Sequence, residues 1–222
     1  MRNNPKASVI CGVDEAGKGA VLGPLVVAGV ACTSSDILEG LGIRDSKLLS
    51  PNRREALYPE ILSRCRVHTL QLSPDRIDLL RSTRTMNDIC AASHAEVISV
   101  LSPEIAYVDA CDVNPVRYGW AVEALLSRSC QVVAEHHAEA AHLPVAAASI
   151  VAKVERDYAV KVLEEEYGTV GTGYPSDPVT LSFLDAYIAV HRRPPACSRS
   201  SWKTVAFLMN KLHQSTLSKF FP

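Results

Sequence analysis

Short apolar runs rich in Val and Ile, cut by glycine and proline, open this chain, and longer stretches with apolar residues three or four positions apart follow. Ser8 to Val13 and Leu25 to Cys32 predict two strands, separated by Gly17, Gly19 and Gly23-Pro24. Arg66 to Leu72 alternates in part and predicts a third, so that two hairpins make a meander. Helical spacing then takes over. Ile89, Ala92, Val97, Ile98 and Leu101 share one face of a helix over Asn87 to Leu101, which Ser102-Pro103 ends. Glu104 to Asp109 reads as a buried strand finishing on a carboxylate. A helix from about Pro115 to Ser127 and a strand from Cys130 to Ala134 come next. A long helix from about Val145 to Tyr167 follows, and its alanine-rich first half suits close packing on a sheet.

A meander followed by strand, helix, strand and helix is a mixed α/β sheet. Its expected order is 3-2-1-4-5, five strands with the first in the middle. Asp14 and Asp109 then end neighbouring parallel strands at one edge, where open α/β sheets tend to bind ligands. From Gly168 the character changes: Gly, Pro and Ser cluster up to Pro178, and a helix is expected over Val179 to His191. Arg192-Arg193-Pro194-Pro195 breaks it, and a last helix is expected over Trp202 to His213. The expected division is a core over residues 1–168 and a small helical appendage over 169–222.

With 47% hydrophobic and 21% charged residues among 222, the chain is an ordinary globular protein and not a disordered one. A net charge of −1 supplies no global basic field for nucleic acid, which leaves such a role to local patches. The seven cysteines include no C-x-x-C pair and sit mostly in apolar segments, so buried reduced thiols are expected. Neither a signal peptide nor an apolar span of membrane length is visible, and a soluble, cytoplasmic monomer is expected.

The candidate chemistry is concentrated in Val9-Ile10-Cys11-Gly12-Val13-Asp14-Glu15-Ala16-Gly17-Lys18-Gly19. Two adjacent carboxylates at a strand end must be solvated or neutralised, and a bound cation does this. The glycines after them let the backbone turn tightly and approach a ligand through its N–H groups. Elsewhere the bland readings do better. Adjacent His136 and His137 point to different sides and are expected at the surface, with His137 near enough to Glu139 to assist a proton transfer. Lys153 either pairs with Asp157 one turn on or touches phosphate. Arg192, Arg193, Arg199 and Lys203 form a basic cluster fit to meet a duplex backbone, and Trp202 reads as core.

Six segments in order resemble ribonuclease HII, the type 2 ribonucleases H, most closely in archaeal form. They are Val13 to Gly19, Asp45-Ser46-Lys47-Leu48-Leu49-Ser50, Tyr107-Val108-Asp109-Ala110-Cys111-Asp112, Ala146 to Val154, Gly173-Tyr174-Pro175-Ser176-Asp177-Pro178 and Ser201-Trp202-Lys203-Thr204. The resemblance implies an endonuclease that cuts the RNA strand of RNA–DNA hybrids and cuts 5′ of ribonucleotides embedded in duplex DNA, leaving 5′-phosphate and 3′-hydroxyl ends. It implies two divalent cations, Mg2+ or Mn2+, held by four acids: Asp14, Glu15, Asp109 and a fourth ahead of the Ala-Ala-Ser-Ile helix. That fourth acid is an aspartate in the family pattern and Glu139 here. Glutamate keeps the charge and the hard oxygen, but its extra methylene moves the carboxylate, and a shift of about 1 Å can cost about a hundredfold in rate. A hybrid-binding protein weakened in catalysis is therefore the alternative. The resemblance further implies that Gly17, Lys18 and Gly19 read the ribose 2′-hydroxyl, that Tyr174 reads the junction to DNA, and that Lys47 contacts phosphate. A replication clamp is an open partner, with no clear docking motif in the tail to support it.

Overall fold

The computed structural model describes residues 8–43 and 49–217, with the side chains beyond Leu212 left aside. Its five strands are β1 (Ile10–Ala16), β2 (Leu25–Cys32), β3 (Arg66–Leu72), β4 (Ile105–Asp109) and β5 (Gln131–Glu135). They form one sheet in the order β3-β2-β1-β4-β5, the mixed arrangement the patterning predicts. β1 runs antiparallel to β2 and parallel to β4, which in turn runs parallel to β5. The helices are α1 (Pro51–Arg64), α2 (Pro74–Arg81), α3 (Met86–Leu101), α4 (Pro115–Glu123), α5 (Ala138–Ala141), α6 (Leu143–Tyr167), α7 (Pro178–His191) and α8 (Lys203–Leu217).

Two differences from the sequence reading bear on the site. β1 continues to Ala16, so Asp14 and Glu15 lie inside the strand; they pair with Ala28 and Val27 of the wholly apolar β2, which carries the ladder past the charges. The link from β2 to β3 is no tight hairpin, because it carries a 3-10 turn (Ser35–Leu38) and all of α1.

The chain divides into two compact units. The first holds residues 1–16, 26–70 and 85–155; the second holds 17–25, 71–84 and 156–222. In the first, helices cover both faces of the sheet. On one, Ala146, Ala147, Ala148, Ile150, Val151 and Ala152 of α6 are buried with Val26, Ala28 and Val30 of β2. Gly12 permits the approach: a Cβ there would stand 2.1 Å from both Pro144 C and Val145 N. On the other face α3 comes as close, and a Cβ at Gly29 would lie 2.4 Å from Val97 Cγ1. The second unit has its own core, with Val21, Leu22, Val170, Leu184, Ile188 and Val205 buried.

Candidate active site

Strand parity decides where the acids go. Successive side chains on a strand leave opposite faces, so Gly12 and Asp14 belong to the α6 face, while Cys11, Val13 and Glu15 belong to the α3 face. The parallel register Gly12↔Tyr107 and Val13↔Val108 puts Asp109 beside Asp14 at the next step, on the α6 face. Asp14 is only 8% exposed. Its Oδ1 accepts the Glu15 N–H at 2.7 Å, and Ser149 of α6 bonds the same carboxyl. Burial, then the charges of Glu15 and Asp109, push its pKa up from 3.8 to about 7, against the opposing pull of those hydrogen bonds.

Asp109 reaches forward as well. Its Oδ1 accepts the Ala138 N–H at 3.1 Å, tying β4 to the first turn of α5, and Glu139 is the next residue, 5% exposed. α5 is a separate four-residue turn entered through His137 in the left-handed region (φ 58°). Lys153, one turn beyond Ser149 on α6, donates from Nζ to Ser149 Oγ at 2.9 Å. A lysine, a serine and the Asp14 carboxyl thus follow one another on this face. Crowded hard oxygens are the donor type that suits a divalent cation, and Asp14 and Asp109 bring such oxygens together on this face, with Glu139 buried just beyond the Ala138 amide that Asp109 holds.

Glu15 has a different set of partners. Its Oε2 lies 3.1 Å from His94 Nε2, and His94 Nδ1 lies 3.1 Å from the Tyr118 hydroxyl. A capping box of Thr85 and Asp88 fixes the start of α3 and hence the face that carries Cys90 and His94. Burial alone would lower the His94 pKa, but the hydrogen bond and charge of Glu15 outweigh it and raise the value above the usual. Sequence reading missed His94, although a fully buried polar residue lies there among Ile89, Cys90, Val97 and Ile98, on the stripe that predicts the helix. It also missed the roles of Ser149 and Tyr118.

Gly17, Lys18, Gly19 and Tyr174 come together in the second unit. Gly17 has φ 88°, and its carbonyl accepts the Ala20 N–H at 3.2 Å, closing a turn over Lys18 and Gly19. A Cβ at Gly17 would fall 2.6 Å from Arg156 Nε and 2.7 Å from the Pro24 carbonyl. The Gly173 carbonyl accepts from Val21 and Leu22 at 2.8 and 3.0 Å. Arg156, buried, lies 4.6 Å over the Tyr174 ring and donates to the Thr172 carbonyl at 3.0 Å. Arg156 therefore packs against both the glycine turn and Tyr174, a role no local pattern announces.

One expectation is corrected. Arg199 is not part of an exposed basic cluster: it is 0% exposed, and its guanidinium donates to the Lys18 carbonyl at 3.0 Å and the Gly23 carbonyl at 3.1 Å. Arg192, Arg193 and Lys203 are exposed, as are His136 and His137. Trp202 packs, half-buried, against the core of the second unit. All seven cysteines are thiols. Lys47 lies outside the described residues. Among the described residues no helix is long and apolar enough to cross a membrane.

Comparison with known proteins bears on the family and the fold. The family model for Ribonuclease HII matches residues 11–205. Ribonuclease HII of Methanoregula boonei is 54% identical over 213 residues, which is 96% of this chain and 100% of the relative. The crystal structure of ribonuclease H2 from Pyrococcus horikoshii OT3 superimposes with a TM-score of 0.87 at 34% identity, covering 93% of this chain and 99% of that one. The ribonuclease HII of Archaeoglobus fulgidus, solved in complex with PCNA, gives 0.83 at 48% identity over 88% of this chain and 95% of its own. With the family matched along nearly the whole sheet and its acidic edge, this chain belongs to the ribonuclease HII family and is a ribonuclease H enzyme.

Proposed function

We propose that this enzyme hydrolyses the RNA strand of RNA–DNA hybrids and cuts 5′ of single ribonucleotides in duplex DNA, with Asp14, Glu15, Asp109 and Glu139 holding two divalent cations. The carrying observation is Asp14: a carboxyl buried on the sheet face beside Asp109, its pKa raised to about 7 by burial first and then by the charges of Glu15 and Asp109. Cations bound at such a centre supply charge neutralisation at a phosphate and a water of lowered pKa. The chain's own residues do the rest. Asp109 anchors α5 through the Ala138 amide, and that bond brings the Glu139 backbone next to the strand edge. Ser149 orients the Asp14 carboxyl and is itself held by Lys153, which donates to its hydroxyl.

Discrimination belongs to the glycine turn. A ribose 2′-hydroxyl distinguishes RNA from DNA by donating and accepting at close range, and the backbone at Gly19, where the space a Cβ would take is open, allows that approach. Tyr174, its ring under Arg156, is rigid enough to stack against the sugar that follows the ribonucleotide. The test is cleavage of duplex DNA carrying one ribonucleotide, with all-DNA duplex and a long hybrid as comparators, in Mg2+ and in Mn2+. Cutting only where a 2′-hydroxyl is present supports the reading, and cutting that ignores it removes the role of the turn. Absence of cleavage in both metals, restored by Glu139→Asp, would instead make this a hybrid-binding protein.

We also propose a clamp partner. Leu217, Phe220 and Phe221 follow Gln214 in the sequence at apolar positions three and four apart, a pattern of closely spaced anchors that suits a hydrophobic groove on a partner. An archaeal relative is known in complex with PCNA. Phe220→Ala with Phe221→Ala is expected to weaken capture by an archaeal PCNA at least about tenfold while cleavage of short substrates is unchanged, since hot-spot aromatics each carry about 2 kcal/mol or more.

A further inference from the structure

We propose that Glu15, Cys90 and Cys111 form a second cation site, selective for a thiophilic divalent ion of the zinc type, and that the ion inhibits the enzyme by capturing Glu15. The three side chains come from three elements of the first unit: β1, α3 and the segment just past β4. One Glu15 oxygen and the two sulfurs all lie within 4.8 Å of one another. Ligands about 2.0–2.3 Å from a tetrahedral zinc stand somewhat closer than that to each other, so a small rotamer adjustment closes the set. Three protein ligands leave a fourth position for water.

The donors differ in kind from those on the α6 face. Two sulfurs with one carboxylate favour zinc or cadmium over magnesium, which prefers oxygen alone. The supporting contacts are already in place. His94, one helical turn beyond Cys90, holds the Glu15 carboxylate through Nε2 at 3.1 Å, and Tyr118 fixes the far side of the imidazole at 3.1 Å. Such outer contacts orient a ligand carboxylate in metal sites generally. On binding, each thiol releases its proton to solvent and a sulfur–metal bond replaces the S–H bond, with no change of oxidation state. The inhibitory part rests on the proposed role of Glu15 in cleavage; the binding part does not.

The test is titration of the full chain with Cd2+, reading the ultraviolet thiolate-to-cadmium charge-transfer band. Wild type and Cys32→Ser/Cys65→Ser are both expected to show a band that saturates at about one ion per chain, as one closed ligand set requires. Cys90→Ser/Cys111→Ser is expected to lose it. If that double variant does not fold, Cys111→Ser alone decides, because this residue is only half-buried and should lose about half of the two-thiolate band. Zn2+ added to an Mg2+-driven cleavage assay should inhibit wild type at least about tenfold more strongly than Cys111→Ser, the loss of one ligand being worth that much or more. A band that survives in the Cys90 and Cys111 variants, or vanishes with Cys32 and Cys65, overturns the site. If wild type shows no cleavage at all, the proposed function fails while the cadmium band still decides this site.

Discussion

At the residue scale, Asp14 carries the sharpest consequences. A carboxyl whose folded pKa stands near 7 holds its proton more tightly folded than unfolded, where the value is 3.8. By linkage its contribution is neutral at low pH, and stability falls as pH rises from about 4 to about 7, then levels off. In the absence of divalent cations Asp14→Asn removes this penalty. Urea unfolding in a chelator at pH 8 should find the variant more stable than the parent, by up to a few kcal/mol, on the order of 1.4 kcal/mol per pKa unit. At pH 4 the difference should nearly vanish. The same variant should lose cleavage at least about a hundredfold if the carboxylate beside Asp109 has the proposed role of holding a cation. Gain of stability with loss of activity marks a strained functional carboxylate, whereas loss of both would mean that Asp14 is structural. Glu139 separates charge from length. Glu139→Asp should cleave at or above the parent rate, and Glu139→Ala should fall at least about a hundredfold. A Glu139→Ala variant as active as the parent would remove Glu139 from the site.

At the element scale, the acidic edge depends on how closely α6 can lie on β1. Gly12 faces backbone atoms 2.1 Å from where its Cβ would be, and backbone cannot rotate away. Gly29 faces the ends of Val97 and Leu101 side chains, which can. Gly12→Ala should therefore cost more than about 3 kcal/mol and carry the Ser149 contact with Asp14 away, while Gly29→Ala should cost about 1–3 kcal/mol and leave cleavage nearly intact. Chemical denaturation and cleavage rates on both variants test the ordering. Much of this architecture is legible in the sequence, because the strands and the long α6 bury enough surface to impose a period. α1 and α2 escape for the opposite reason. α1 buries only Leu57 and Ile61, and α2 only Ile77, so neither carries a continuous apolar stripe. Their start signals were nonetheless present: Ser50-Pro51 and Ser73-Pro74 repeat the cap-then-proline order of Asn114-Pro115 and Asp177-Pro178, which open α4 and α7. Strand parity could equally have shown that Asp14 and Glu15 leave opposite faces. No local pattern could have linked Glu15 to His94, because that contact joins residues 79 positions apart.

At the scale of the whole molecule, a chain with net charge −1 must bind a polyanion through local cations, and the buried Arg199 shows that proximity in sequence does not identify them. Arg193 and Lys203 are exposed, whereas Arg199 spends its charge on the carbonyls of Lys18 and Gly23 and so holds the glycine turn. The two kinds of arginine predict different failures. If Arg193 and Lys203 each neutralise one phosphate, then Arg193→Ala/Lys203→Ala should make the plot of log affinity against log salt shallower by about 2, since each released counterion contributes about 0.9 to the slope. The loss should be the same for every sequence tested, because phosphate contacts carry no base information. Thermal stability should hardly change, as both side chains are solvated. Arg199→Ala should leave that slope alone and lower stability by about 2 kcal/mol or more, because it leaves buried carbonyls without their donor. Discrimination between a ribonucleotide and a deoxyribonucleotide should fall with it, as the turn over Lys18 loses its brace. Fluorescence anisotropy across a salt series, paired with thermal melts, measures both. A slope unchanged in Arg193→Ala/Lys203→Ala would move the duplex-binding surface away from these two residues, and a slope that drops with Arg199→Ala would mean that its guanidinium reaches phosphate after all.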